Sequence, residues 1–233
     1  MRLMEQDNIK RLEHVAEGLD DLNERVTYVG GSVAGLYPQT AAAPSRPTVD
    51  VDCVVEYFSF SEKEEFEELL RKKQFHEDIE GGVICRWLYG KEIVDIMPTD
   101  ERFFSFTNRW YKPGVQNREP FRLPNGRIIY IMSALYFVAT KMEAVIGRGG
   151  DDLRMSHDFE DLVYVINYCP DFCERFECEN NTTLKTFLAE QCNHLLSRKN
   201  IREEIECALP DGEEDRVDVI IDTIKAIAID TAD

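Results

Sequence analysis

Residues 26–32 read VTYVGGS and residues 49–55 read VDVDCVV, and the relation between these two stretches decides how the rest of the chain is read. The first is a short apolar run closed by Gly30, Gly31 and Ser32, the pattern of a strand entering a tight turn. The second is a strand pattern broken by two acids. Side chains two apart on a strand share a side, so Asp50 and Asp52 project from one face while Val49, Val51 and Cys53 take the other. Two like charges so placed repel, and a divalent cation is the usual compensation, because Mg2+ takes carboxylate oxygens and keeps other positions for water and phosphates. Asp95, within the apolar run IVDIM, is a third acid of this kind. If its strand neighbours the first, three carboxylates converge, a set able to hold two ions roughly 3.5–4 Å apart for an in-line phosphoryl displacement.

Gly30, Gly31 and Ser32 supply a complementary part. Glycines let a ligand approach the backbone, the N–H groups opening the next helix favour an anion such as a triphosphate, and the Ser32 hydroxyl donates one more hydrogen bond. The GxxxxGK[ST] spacing of a Walker A loop is absent. Each piece alone has a plainer reading: GGS as an ordinary turn, DxD as acids at a solvent-facing strand, Asp95 as an exposed strand residue. Their order along the chain is what joins them.

Outward from this centre, residues 7–22 place Ile9, Leu12, Val15, Ala16, Leu19 and Leu22 at helical spacing. SVAGLY opens a further helix, and Pro38, Pro44 and Pro47 make PQTAAAPSRP a loop. Ser61 with Glu64 predicts a capping box and a helix through EEFEELLRKKQ. GGVICRWLYGKEIVDIMP predicts a hairpin turning near Tyr89, Gly90 and Lys91, and Asn125-Gly126 predicts another tight turn. The segment between Glu101 and Arg127 reads as irregular, aromatic and basic. From Ser133 the pattern is helical: SALYFVATKMEAVIG, SHDFEDLVYVINY with Ser156 as its N-cap, and helices near 183–197, 201–208 and 214–229. The expected fold class is α+β, a mixed-sheet core over residues 1–132 followed by a helical bundle over 133–233 that contributes to the active-site cleft.

The chain has 233 residues and a formal charge of -18, which argues against a protein that coats nucleic acid nonspecifically. The charge is partitioned, however: residues 101–154 carry 9 Lys+Arg against 5 Asp+Glu and form a basic island between acidic flanks. Its aromatic residues make FFSFTNRWYKPGVQNREPFRLPNGR either a stacking platform for RNA, at about 1–3 kcal/mol per stacked base, or a loop packed on the sheet. No apolar run approaches the roughly 20 residues of a membrane span, and the first residues lack the apolar core of a secretory signal, so a cytoplasmic location is expected. Seven cysteines without tight pairing suit reduced thiols. Cys169, Cys173 and Cys178 with His194 do not have a zinc-finger spacing and read as small apolar groups, and His157 reads as a structural residue at a helix start.

The order of strand, GGS, helix, loop, DxD strand, helix, hairpin and third acid resembles the nucleotidyltransferase superfamily with the polymerase-beta-like fold. The stretch ATKMEAVIGRGGDDLRMSHDFEDLVYVI extends the resemblance to the AbiEii-like branch, the toxin components of type IV toxin–antitoxin systems, over about residues 26–167. In that branch a helical lysine is followed by an arginine and a DxxDL-like motif, matched here by Lys141, Arg148 and Asp158 to Leu162. The resemblance implies a Mg2+-dependent enzyme, with Mn2+ as substitute ion, that transfers a nucleoside monophosphate from an NTP to an acceptor. It implies that Asp50, Asp52 and Asp95 are metal ligands and catalytic residues, and that Asp95 takes the proton of the attacking hydroxyl. Gly30, Gly31, Ser32, Lys141 and Arg148 would then hold the nucleotide. Asp158 and Asp161, three apart on one helical face, would orient Lys141, Arg148 or the nucleophile, or merely suit a helix N-terminus. RNA such as tRNA is the acceptor favoured by the resemblance, with binding at 101–154; a small polycation such as an aminoglycoside is the other, and an antitoxin would be the protein partner. The rival is a catalytically silent fold of this type that binds a nucleotide or a protein.

Overall fold

The computed structural model describes residues 2–38, 43–104, 107–148 and 152–228. The middle of the Pro/Ala loop (39–42), Ser105 and Phe106 of the aromatic segment, residues 149–151 and residue 229 of the final predicted helix lie outside them. The contacts divide the chain into two units, Met1–Leu36 with Arg46–Ser133, and Tyr37–Ser45 with Ala134–Asp233. The division after Ser133 lies one residue beyond the expected boundary, and the second unit additionally includes a segment from the Pro/Ala loop.

The first unit is built on a seven-stranded mixed sheet. Helix α1 (Arg2–Leu19) buries Leu12, Val15, Ala16 and Leu19 completely, the i, i+3, i+4, i+7 stripe of its sequence. It starts before the predicted residue 7, and the last predicted turn is a 3₁₀ turn at Asp20–Glu24. Strand β1 (Val26–Val29) is wholly buried and runs into a second 3₁₀ turn, Gly31–Leu36, where an α-helix was expected. Strand β2 (Asp50–Val55) shows the expected alternation, with Val51 and Cys53 fully buried and Asp50 and Asp52 half-buried.

Helix α2 (Phe60–Lys72) is capped two residues earlier than predicted. Ser59 has extended backbone, and its side chain accepts from the Glu62 N–H at 3.1 Å; Glu62 in turn accepts from the Phe58 N–H at 2.9 Å. Ser61 already lies in the first turn. Strands β3 (His76–Glu77), β4 (Arg86–Tyr89) and β5 (Glu92–Pro98) follow, with the β4–β5 hairpin turning through Gly90 at φ +57°.

The stretch expected to be irregular contains helix α3 (Tyr111–Gln116) and strand β6 (Arg118–Arg122), which pairs with β7 (Ile128–Met132) across a turn with Gly126 at φ +88°. Pro113 and Gly114 hide the helix from a propensity reading. Pro120 hides the strand, but β6 is the edge of the sheet, where proline is tolerated. The strand order is β3-β4-β5-β2-β1-β7-β6, with β2 parallel to β5 and antiparallel to β1, and β1 parallel to β7.

The second unit is helical: α4 (Ala134–Arg148), α5 (His157–Tyr168), α6 (Phe172–Cys178), α7 (Thr182–Ser197), α8 (Ile201–Ala208) and α9 (Val217–Ala228). Ser156 caps α5 as expected, accepting from the Phe159 N–H at 3.3 Å. The Tyr37–Ser45 segment is fastened within this unit: the Tyr164 hydroxyl donates to the Ala43 carbonyl at 2.7 Å, and the Tyr37 ring packs on Phe137. No described helix is long and apolar enough to cross a membrane. All seven cysteines are free thiols.

Candidate functional site

The sheet order brings the sequence-predicted acids together. Strand β5 lies beside β2 in parallel register, so Asp52 is the direct neighbour of Asp95, and residues in register share a face. On the other side, Val29 of β1 pairs with Asp52, which brings the next residue, Gly30, against that carboxylate. Gly30 has φ +71°, and a Cβ there would stand 1.9 Å from Asp52 Oδ2. Both facts require glycine. At Gly31 a Cβ would stand 2.3 Å from a guanidinium nitrogen of Arg46, so that side chain fills the space a larger residue would need.

Ser32 is 2% exposed, and its Oγ has no hydrogen-bond partner among the described residues. A buried unpaired hydroxyl costs roughly 1–3 kcal/mol, which a bound ligand or water would relieve. The segment leading into β2 is held by α1. Asn8 donates to the Arg46 carbonyl at 2.9 Å and accepts from the Thr48 N–H at 3.1 Å, while Arg11 donates to the Thr48 carbonyl and pairs with buried Glu92 at 2.9 Å.

Sequence reasoning missed Arg86. It is the antiparallel cross-strand partner of Asp95 and grips that carboxylate with two parallel hydrogen bonds, Nε to Oδ1 and an Nη to Oδ2, each 2.8 Å. The same guanidinium is 3.8 Å from Asp50 Oδ2. The Asp95 hydrogen bonds push the Arg86 guanidinium further up, despite partial desolvation. The acids also act on nearby thiols. Burial, then Asp52 and Asp95, push Cys53 well up; burial, then chiefly Asp95, push Cys85 up to about 11.

Carboxylate oxygens are the donors that a hard divalent cation selects, and Asp50 and Asp52 fit one. Asp95 has both oxygens engaged by Arg86. Among the described residues no group of three or more His, Cys, Asp or Glu side chains is placed to hold a metal.

The other predicted residues lie in the helical unit and form a cluster of their own. Lys141 is buried, its Nζ 2.7 Å from Asp161 Oδ2 and 3.1 Å from Asp158 Oδ1, and Arg148 reaches Asp158 Oδ2 at 2.9 Å. Burial alone would pull the Lys141 ammonium down, but Asp161 and Asp158 outweigh it and hold it above the ordinary lysine value. Lys141 therefore does not reach solvent as a surface lysine. His157 is exposed, with Nδ1 3.3 Å from Glu160 Oε2. A cavity of about 310 Å³ lined by Met142, Phe159, Leu162, His194 and Arg198 among others also lies in this unit; Phe159 and Leu162 come from the predicted acidic motif, but none of its acids and neither Lys141 nor Arg148 lines it.

The basic island is not a bare cationic surface. Arg102 pairs with Asp100, Lys112 with Glu56, Arg127 with Asp20 and Arg154 with Asp152 and Glu203, while Arg118 and Arg122 donate to backbone carbonyls. A comparison with models of known protein families gives no match, and neither does one with curated proteins.

Proposed function

We propose that this protein is a metal-dependent nucleotidyltransferase that transfers a nucleoside monophosphate from an NTP to an acceptor hydroxyl, with pyrophosphate as leaving group. The reading is supported above all by one observation: Asp52 and Asp95 are direct neighbours on one sheet face, Asp50 lies two residues along it, and a glycine that admits no side chain closes against Asp52. A cation held there would bind triphosphate oxygens and offset charge developing during displacement.

The chain's own residues have separable tasks in this scheme. Asp50 and Asp52 bind the ion, the Ser32 hydroxyl donates to a phosphate oxygen, and Asp95 accepts the proton of the attacking hydroxyl once Arg86 has released one of its oxygens. Lys141 and Arg148 are assigned to the nucleotide by resemblance alone; in the helical unit their charges are already met by Asp158 and Asp161. The resemblance favours an RNA acceptor and, with it, a toxin held by an antitoxin.

A second reading draws on Arg86. By neutralising Asp95 it gives a noncatalytic fold a physical means of keeping clustered acids, which suits a nucleotide-binding module.

Incubation with each of four α-labelled ribonucleoside triphosphates, Mg2+ and total small RNA separates the two. Label entering RNA, and lost in Asp52→Ala with a penalty of several kcal/mol in transition-state stabilisation, supports the transferase. Label in a small product would change the acceptor only. Mg2+-dependent nucleotide binding without any transfer would favour the module.

A further inference from the structure

We propose that the cavity of the helical unit is a binding site for a small neutral molecule with an apolar body and an amide-like hydrogen-bonding edge. This site does not depend on the transferase reading. The cavity measures about 310 Å³, within the range of roughly 300–1,000 Å³ in which small-molecule sites fall. One part of its wall is apolar: Met142 and Val145 of α4, Leu153, and Phe159 and Leu162 of α5. Another part comes from α7 and the residue that ends it, where Gln191, His194 and Arg198 recur at helical spacing and line the same space. Ile146 and His194 of the lining are exposed, so the cavity is reachable from solvent. A ligand that covers the apolar wall gains about 25 cal/mol for each Å² it takes from water.

The charges around the cavity decide which ligand suits it. Among the described residues no acid lines it, and the Arg198 guanidinium is already matched: its Nε donates to Glu204 Oε2 at 2.8 Å and an Nη to Oε1 at 2.5 Å. Glu204 is 3% exposed and also accepts from the Leu153 N–H at 3.4 Å, so it ties the Arg198 and Leu153 sides together. The Arg198 hydrogen bonds hold the Glu204 carboxyl below its ordinary value, which keeps the pair ionised at neutral pH. A ligand carboxylate would face Glu204 as well as Arg198, and a ligand ammonium would meet Arg198. Either ion would shed its water without a full counter-charge in return. The Gln191 amide both donates and accepts, and suits an amide edge on the ligand.

The full chain, carrying methyl-labelled methionine, is titrated with phenylacetamide and with two charged molecules of similar shape, phenylacetate and phenethylammonium. The Met142 methyl signal, assigned from a Met142→Leu spectrum, is followed by NMR. The amide is expected to shift that signal and to bind about tenfold more tightly than either ion. No shift with the amide overturns the proposal. So does an ion that binds as tightly as the amide, since the Arg198–Glu204 pair would then be open to an outside charge. Val145→Phe, which fills the cavity from a half-buried position, is expected to weaken amide binding by about tenfold or more. Full binding by the folded variant overturns the proposal by putting the amide elsewhere. Should Val145→Phe not fold, Gln191→Leu is titrated instead, with an expected loss of about fivefold for the amide, and unchanged affinity is the overturning result. No nucleotide enters the experiment, so failure of the transferase reading leaves its outcome untouched.

Discussion

The two acidic clusters are balanced differently. On the sheet face, Arg86 grips Asp95 and lies 3.8 Å from Asp50, with Asp52 beside them in register; in the helical unit, Lys141 meets both Asp158 and Asp161, and Arg148 meets Asp158. A cluster whose charges close contributes to the fold whatever else its residues do. The contrast sets the expected costs: removing Lys141 from the helical cluster should cost the fold more than removing one carboxylate from the sheet face.

The largest effect is expected for Lys141→Met, which removes the ammonium 2.7 Å from buried Asp161 at a cost of about 3–5 kcal/mol, read by urea unfolding. A loss below about 1 kcal/mol would mean that the lysine is held for a ligand rather than for the fold. Because the folded Lys141 value is raised, its stabilisation is fully present below the ordinary lysine value near 10.4 and is lost as pH rises through the folded value. Urea midpoints from pH 7 to 11 should therefore fall more steeply at the alkaline end for the parent than for Lys141→Met.

Gly30→Ala comes next, at about 1–3 kcal/mol for the strained backbone alone, with displacement of Asp52 visible as loss of Mn2+ binding. Normal metal binding in that variant would detach the glycine from the carboxylate face. Asp50→Asn should change stability by less than about 1 kcal/mol, since it removes a repelling charge from a half-buried site. A cost comparable to that of Lys141→Met would erase the distinction between the clusters. The smallest effect belongs to Arg148→Ala: its side chain is 74% exposed, and the pair with Asp158 is worth about 0–1 kcal/mol by the same unfolding measurement.

Much of this contrast was legible in the sequence, and the reasons are local. The alternation of VDVDCVV assigned Asp50 and Asp52 to one face because a strand's period leaves no other choice. Arg86 was within reach as well: a turn through Gly90 and Lys91 pairs Tyr89 with Glu92, and counting back three places sets Arg86 against Asp95. By contrast, the adjacency of β2 and β5 depends on which strands of the sheet meet, and residue spacing does not contain that. Arg46 beside Gly31 is equally invisible, since it enters through a loop clamped by Asn8. The pairing of the basic island was hidden for a related reason: a charge average along the chain ignores carboxylates brought in from the turn after α1 and the residue following β2, such as Asp20 and Glu56.

The fastening of Tyr37–Ser45 among the helices has a consequence for heredity and for engineering. The short segment between the glycine turn and the DxD strand belongs to the unit that the chain enters for good only at Ala134. A gene cut at that later junction would yield a sheet with a stray loop and a bundle missing the backbone that Tyr164 holds. A cut at Ala134 therefore does not separate the two units: the segment has to travel with the helices for the bundle to keep that backbone.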